Sequence, residues 1–268
     1  MATKKAVPSV KKSTAKKPTK TTKVSTVKAV VVSRPAKALF SSPLKSMPIA
    51  AALAAEFIGT LLFTGAIIAG QGQPIIILFA FAGIVLLVGS LSGAHLNPAI
   101  TIGAWITRKI SGLKAIGYII AQFVGALAAL GILHTFVSGA AQPAAGYAAA
   151  SLYQAAALPA GKEWYIFFSE LIGAAVLGLV IATAIQAKSD RLTSAFTAGL
   201  GIFVALLLAA SAAAYVGGTA IINPAVALSL NALKWEMWPL AVYVLAPVIG
   251  GVVGFILHDV MHPETTEA

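Results

Sequence analysis

Hydrophobic residues run in six long blocks along this chain, at 47–70, 74–90, 113–137, 164–187, 192–213 and 238–258. Each approaches or exceeds the roughly 20 helical residues needed to cross a ~30 Å hydrocarbon core, so the pattern predicts six membrane-spanning helices. The second is the shortest. Pro239 stands at the start of the sixth, where proline is tolerated, and Pro247 inside it predicts a kink. The stretch 138–162, rich in Ala, Pro and Gly, reads as a surface loop. Two further apolar segments are too short to span. One follows Asn97 and ends at Arg108 and Lys109; the other follows Asn223 and ends near Lys234. Each holds about 11 residues, or ~16 Å of helix, half the core thickness. Each is therefore expected to re-enter and return to the side it came from.

The two short segments begin alike, with Asn97-Pro98-Ala99 and Asn223-Pro224-Ala225. Asn is a preferred N-cap, and Pro fits the first helical position because its missing N–H would have no partner there. A helix that starts inside the membrane aims unpaired N–H groups and a positive dipole end at whatever lies ahead of it. Two such starts predict half-helices meeting at the midplane, an arrangement suited to a selective passage. Taken singly, either Asn would read as an ordinary N-cap in a tight packing loop.

Composition agrees with a polytopic membrane protein: 59% of the 268 residues are apolar and 10% charged, against about a quarter charged in soluble domains. There is no cysteine, so neither disulfides nor thiol chemistry enter. The net charge of +11 is concentrated, with 12 of the 19 basic residues before Met47 and no acid before Glu56. Such a segment buries too little to fold and reads as a disordered basic tail over 1–46. It is read first as a solvated tail that reinforces orientation, with an electrostatic anchor to anionic lipid and an organelle transit peptide as alternatives; nucleic-acid binding is the least favoured reading. The positive-inside rule then places both termini in the cytoplasm. Arg108, Lys109, Lys114, Lys188 and Arg191 fall on that side, against Lys162 and Lys234 on the other. The membrane is read as the plasma (inner) membrane, with an organelle membrane as the alternative.

The chain also repeats. Glu56-Phe57-Ile58-Gly59-Thr60 in the first span resembles Glu170-Leu171-Ile172-Gly173-Ala174 in the fourth. Three spans per half is odd, so the halves, 47–140 and 162–260, must be inverted relative to one another. The channel-like domain then covers 47–260, with a short tail over 261–268.

Ser92-Gly93-Ala94-His95-Leu96-Asn97-Pro98-Ala99-Ile100-Thr101 resembles the first signature of the aquaporin (major intrinsic protein) family, and Gly218-Thr219-Ala220-Ile221-Ile222-Asn223-Pro224-Ala225 resembles its second. Glu56, Glu170 and Gln122 match residues of that family in the first, fourth and third spans. The resemblance implies an all-α membrane protein: an aquaporin-like, right-handed bundle of six transmembrane helices plus two re-entrant half-helices in an inverted 3+3 repeat. It implies a homotetramer with one passage per subunit, and passive conduction of water and small uncharged solutes. No cofactor or metal is called for, and no nucleophile–base pair or phosphate loop supports an enzyme.

The central site is expected at Asn97, Pro98, Ala99, Asn223, Pro224 and Ala225. Glu56 and Glu170 are read as braces accepting hydrogen bonds from the re-entrant backbone, with a proton relay as the sharper alternative. His95 is placed at the inner mouth, as a loop brace or a pH gate, and His134 is read as a packed or satisfied core histidine. Where most family members carry Arg after the second motif, this chain has Val226, so the outer constriction is expected to be more apolar. Ile77, Ala220 and Val226 are expected to line it. From the fifth span, counting back from Asn223 gives Ser211, whereas matching the helix gives Leu208. Glycerol, urea, ammonia or peroxide then become candidates beside water. The rivals are a proton-coupled secondary transporter using Glu56 or Glu170, and a structural tetramer with a nearly closed passage. Small residues at Gly117, Ala121 and Gly125, and at Gly250 and Gly254, form stripes that let membrane helices approach closely, within a subunit or between subunits.

Overall fold

A computed structural model describes residues 48–141, 151–186 and 190–263; the basic segment 1–46, Lys188 and the chain beyond 263 lie outside the described residues. Six helices are long and apolar enough to cross a membrane: α1 (Pro48–Ala69), α2 (Pro74–Ser92), α4 (Gly112–Ser138), α5 (Glu163–Gln186), α6 (Arg191–Ala214) and α8 (Met237–Met261). Two short helices, α3 (Pro98–Ile106) and α7 (Pro224–Ser229), interrupt the series at equivalent places in the two halves.

Both short helices are shorter than the apolar pattern suggests, because their C-termini are closed by residues in the left-handed region. Arg108 has φ +62, and the Lys109 N–H folds back to the Ala104 carbonyl at 2.7 Å. Asn231 has φ +59, and the Ala232 N–H returns to the Ala227 carbonyl at 2.9 Å. These closures satisfy carbonyls that the ended helix would leave unpaired. The apolar residues between Leu230 and Lys234 are thus not helical, and α7 has 6 residues rather than about 11.

The bundle follows the repeat. α1 packs on α4 and α2, while α5 packs on α8 and α6; α2 meets α6 across the middle. Each half-helix crosses over, α3 lying against α8 and α7 against α4. The glycine stripes serve contacts inside the subunit. A Cβ at Gly125 would sit 2.4 Å from the Phe57 carbonyl oxygen, and one at Gly250 would sit 2.2 Å from that of Leu171. Backbones of α1 and α4, and of α5 and α8, can touch only because those side chains are absent.

Pro247 follows directly on an irregular stretch of the sixth span. Its ring nitrogen cannot donate to the Tyr243 carbonyl one turn back, and the helix widens into a π segment over Ala241–Leu245 just before it. Apolar residues cover the outer surface, among them Phe79, Leu87, Leu113 and Phe136. Trp164, Phe168 and Trp238 cluster at the starts of α5 and α8, with the two indole rings 5.2 Å apart. Such an aromatic belt marks a membrane–water interface.

Candidate functional site

The starts of α3 and α7 meet. Asn97 caps α3, its Oδ1 accepting the Ala99 N–H at 2.9 Å; Asn223 caps α7, its Oδ1 accepting the Ala225 N–H at 3.1 Å. Each amide then reaches into the other half. Asn97 Nδ2 donates to the Ile222 carbonyl at 2.8 Å, and Asn223 Nδ2 donates to the Leu96 carbonyl at 2.9 Å. A primary amide carries two N–H donors, so each Asn keeps one more at the junction.

The loops before these caps are bent sharply. Ala94, Leu96 and Ile222 all have φ near +50, at +50, +50 and +54. For a β-branched residue such as Ile222 this conformation is rare and costly. Buried carboxylates hold the loops. Glu56 accepts the His95 and Leu96 N–H groups at 3.0 and 2.8 Å, and Glu170 accepts those of Ile221 and Ile222, the latter at 2.7 Å. Both acids are fully buried, and each uses both oxygens on the two residues preceding its Asn. Gln122 Nε2 adds a bond to Glu56 at 2.7 Å and another to Thr101 Oγ1 at 2.9 Å.

Two tyrosines outside the expected site complete the bracing. The Tyr118 hydroxyl donates to the Ser92 carbonyl at 2.8 Å, and the Tyr243 hydroxyl to the Thr219 carbonyl at 3.1 Å. They begin matching strings in the third and sixth spans, Tyr118-x-x-Ala121-x-x-x-Gly125 and Tyr243-x-x-Ala246-x-x-x-Gly250. That internal repeat was the available signal.

A cavity of about 180 Å³ leads to the two Asn residues from the side on which α7 ends. Ile77 of α2, Ala220 of the second re-entrant loop and Val226 of α7 line it. From α6 come Ile202, Leu206 and Ala210, a stripe with helical spacing of four. Neither expected α6 residue belongs to this wall. Leu208 is half exposed and Ser211 is exposed, both on the outer face of the helix beside Tyr165 and Tyr215. At 100° per residue, Leu208 points away from the Leu206–Ala210 stripe. A second cavity of about 260 Å³, on the opposite side of the junction, is lined by Val85, Gly89, Gly93, Ala94, Ile181 and Ile185.

His95 is buried between the two cavities rather than open to the second. Its ring lines the first, its Nδ1 lies 3.2 Å from Thr101 Oγ1, and it meets the Tyr118 ring edge-on at 5.3 Å. His134 is not a core residue. It sits on the exposed face of α4, with Nδ1 3.3 Å from Ser138 Oγ.

A profile of the major intrinsic protein family matches residues 43–258. The chain belongs to the major intrinsic protein family. Its membership, with six membrane-capable helices, makes it an integral, multi-pass membrane protein. Among family relatives, the chain is 33% identical over 224 residues to glycerol uptake facilitator protein-like 6 of Lactiplantibacillus plantarum, covering 78% of this chain and 97% of that one. It is 30% identical over 261 residues to aquaporin TIP1-1 of Arabidopsis thaliana, covering 90% and 96%. The X-ray structure of the aquaglyceroporin from Plasmodium falciparum superposes with a TM-score of 0.59 at 25% identity, covering 80% of this chain and 98% of that one.

Proposed function

We propose that this chain is a passive channel for water and small uncharged solutes, passing between Asn97 and Asn223. The carrying observation is the pair of amides at the meeting point of two helix starts, each with a donor left over, at the floor of a cavity walled mainly by apolar side chains. A passing oxygen gains a few hydrogen bonds there and nothing that holds it, which conduction requires. The positive ends of α3 and α7 converge on the same point, so a cation meets an electrostatic barrier.

The outer constriction is formed by Ile77, Ala220 and Val226, with Leu206 and Ala210 from α6. Val226 is fully buried and offers no donor. Without a charged, bulky filter side chain at that place, urea, glycerol, ammonia or peroxide become substrates beside water. Relatives bearing the names glycerol uptake facilitator and aquaporin support that range. His95 braces the first re-entrant loop. A proton-coupled transporter finds no free carrier in the acids, since Glu56 and Glu170 are each tied to two backbone N–H groups. The protein works as a homotetramer in the bilayer, with both termini cytoplasmic, and the basic tail contacts anionic lipid.

Stopped-flow measurements on proteoliposomes under water, glycerol, urea and ammonia gradients test the reading. The channel gives non-saturating flux indifferent to a pH gradient. Flux no faster than bare lipid refutes it. Val226→Arg should reduce glycerol and urea permeability more than water; unchanged permeability for every solute would show that residue 226 lies off the path.

A further inference from the structure

Residues 151–158, part of the stretch that the sequence presents as surface loop, bring Tyr153 into the first cavity. Leu152, Tyr153, Ala155 and Leu158 pack against the core. Two hydrogen bonds pin the segment to the second re-entrant region: the Ala155 N–H donates to the Leu230 carbonyl, and the Ala156 N–H to Thr219 Oγ1, both at 3.0 Å. The Tyr153 side chain is thereby set into the cavity wall shared with Ile77, Ala220 and Val226. Its ring end abuts Gly72 in the turn between α1 and α2. A Cβ there would come within 2.6 Å of the tyrosine oxygen, and Gly72 has φ +68. The ring is held between two loops, yet its hydroxyl makes no hydrogen bond among the described residues. Nearby, Pro74, Ile77, Ala220, Val226 and Leu206 offer no side-chain donor, while Thr219 Oγ1 accepts the Ala156 N–H and keeps its own O–H.

We propose that the Tyr153 hydroxyl is the polar selectivity group of the outer constriction, exchanging hydrogen bonds with oxygen-bearing solutes as they shed water to pass the apolar ring, while the tyrosine ring limits their width. The inference rests on the channel reading above and names the residue that sets its substrate range. A solute entering an apolar ring gives up hydration, and one well-placed donor offsets part of that cost. Burial pushes the Tyr153 phenol upward from its ordinary range, so it remains a neutral donor at physiological pH. The two roles divide between the atoms of one side chain, and two substitutions separate them.

The full chain is reconstituted in vesicles as wild type, Tyr153→Phe and Tyr153→Ala, and permeability to water, urea and glycerol is measured per incorporated protein. Tyr153→Phe keeps the ring and loses only an unpartnered hydroxyl, so folding is unaffected. It should lower water and urea permeability by about 3- to 10-fold, the worth of one net hydrogen bond. Tyr153→Ala should raise the ratio of glycerol to water permeability. Wild-type flux with Tyr153→Phe within twofold for both water and urea overturns the hydroxyl's role. An unchanged glycerol-to-water ratio in Tyr153→Ala overturns the ring's. A wild type no more permeable than bare lipid instead refutes the channel reading, and this inference falls with it.

Discussion

Glu170→Gln is the sharpest probe of how the second re-entrant loop is held. The carboxylate is fully buried and accepts the Ile221 and Ile222 N–H groups, one on each oxygen. Charged acceptors of this kind contribute about 1.5–3 kcal/mol each. Glutamine keeps one oxygen, as a neutral acceptor worth about 1 kcal/mol, and turns an –NH₂ toward the other N–H, leaving a buried donor unpaired at a cost of about 1–3 kcal/mol. A neutral amide is cheaper to bury than a carboxylate, which returns part of the loss. The net cost comes to about 3 kcal/mol, or roughly 6–12 °C in the melting temperature of a chain this size. The effect should also reach the passage. Ile222 is held at φ +54, and its carbonyl is the acceptor for Asn97 Nδ2. When its N–H loses the anchor, Ile222 relaxes toward ordinary backbone angles and carries that carbonyl away from Asn97. Thermal unfolding of the purified protein in detergent, paired with water flux in vesicles, reads both consequences. Glu236→Gln, at an exposed position on the loop before α8, is the control and should change neither. A Glu170→Gln protein that melts and conducts like wild type would falsify the bracing argument.

Two other expectations follow from the packing. Leu206→Trp should bring water flux close to the bare-lipid level, because its side chain lines the first cavity, whereas Leu208→Trp, on the outer face, should leave flux unchanged; equal effects would mean the α6 stripe is misassigned. Gly250→Val would drive a side chain into the Leu171 carbonyl, 2.2 Å from the new Cβ, and backbone cannot give way as a side-chain tip can. Overpacking costs about 1–3 kcal/mol in cores that can adjust, and this contact should exceed it, visible as loss of a monodisperse peak in size-exclusion chromatography.

Hydrophobic block length located all six long helices to within a few residues, since a lipid-crossing helix must be continuously apolar. The half-helix starts were equally legible, because Asn-Pro states a cap and a first turn together. Their ends were not. Leu230, Asn231, Ala232 and Leu233 read as more helix, and only the left-handed turn at Asn231 stops α7. The α6 wall escaped for a different reason. Counting from the motif and matching the helix gave two registers, and an α6 that is apolar nearly all round does not announce which stripe faces inward. Leu206 and Ala210 take that place. His134 sits amid apolar residues and still faces outward, since in a membrane apolar neighbours do not imply an interior. Tyr153 was out of reach, because its position comes from the bonds of Ala155 and Ala156 to residues more than 60 positions away.

The crossed amide–carbonyl bonds at the junction have a mechanical consequence. Asn97 is moored to the second half of the chain and Asn223 to the first, so the waist of the molecule is a single collar that neither half can dilate alone. Any motion that opens or shuts the protein while leaving the collar intact has to act at the two vestibules, and on the outer side the loop carrying Tyr153 is one of the described pieces not built into the helical frame.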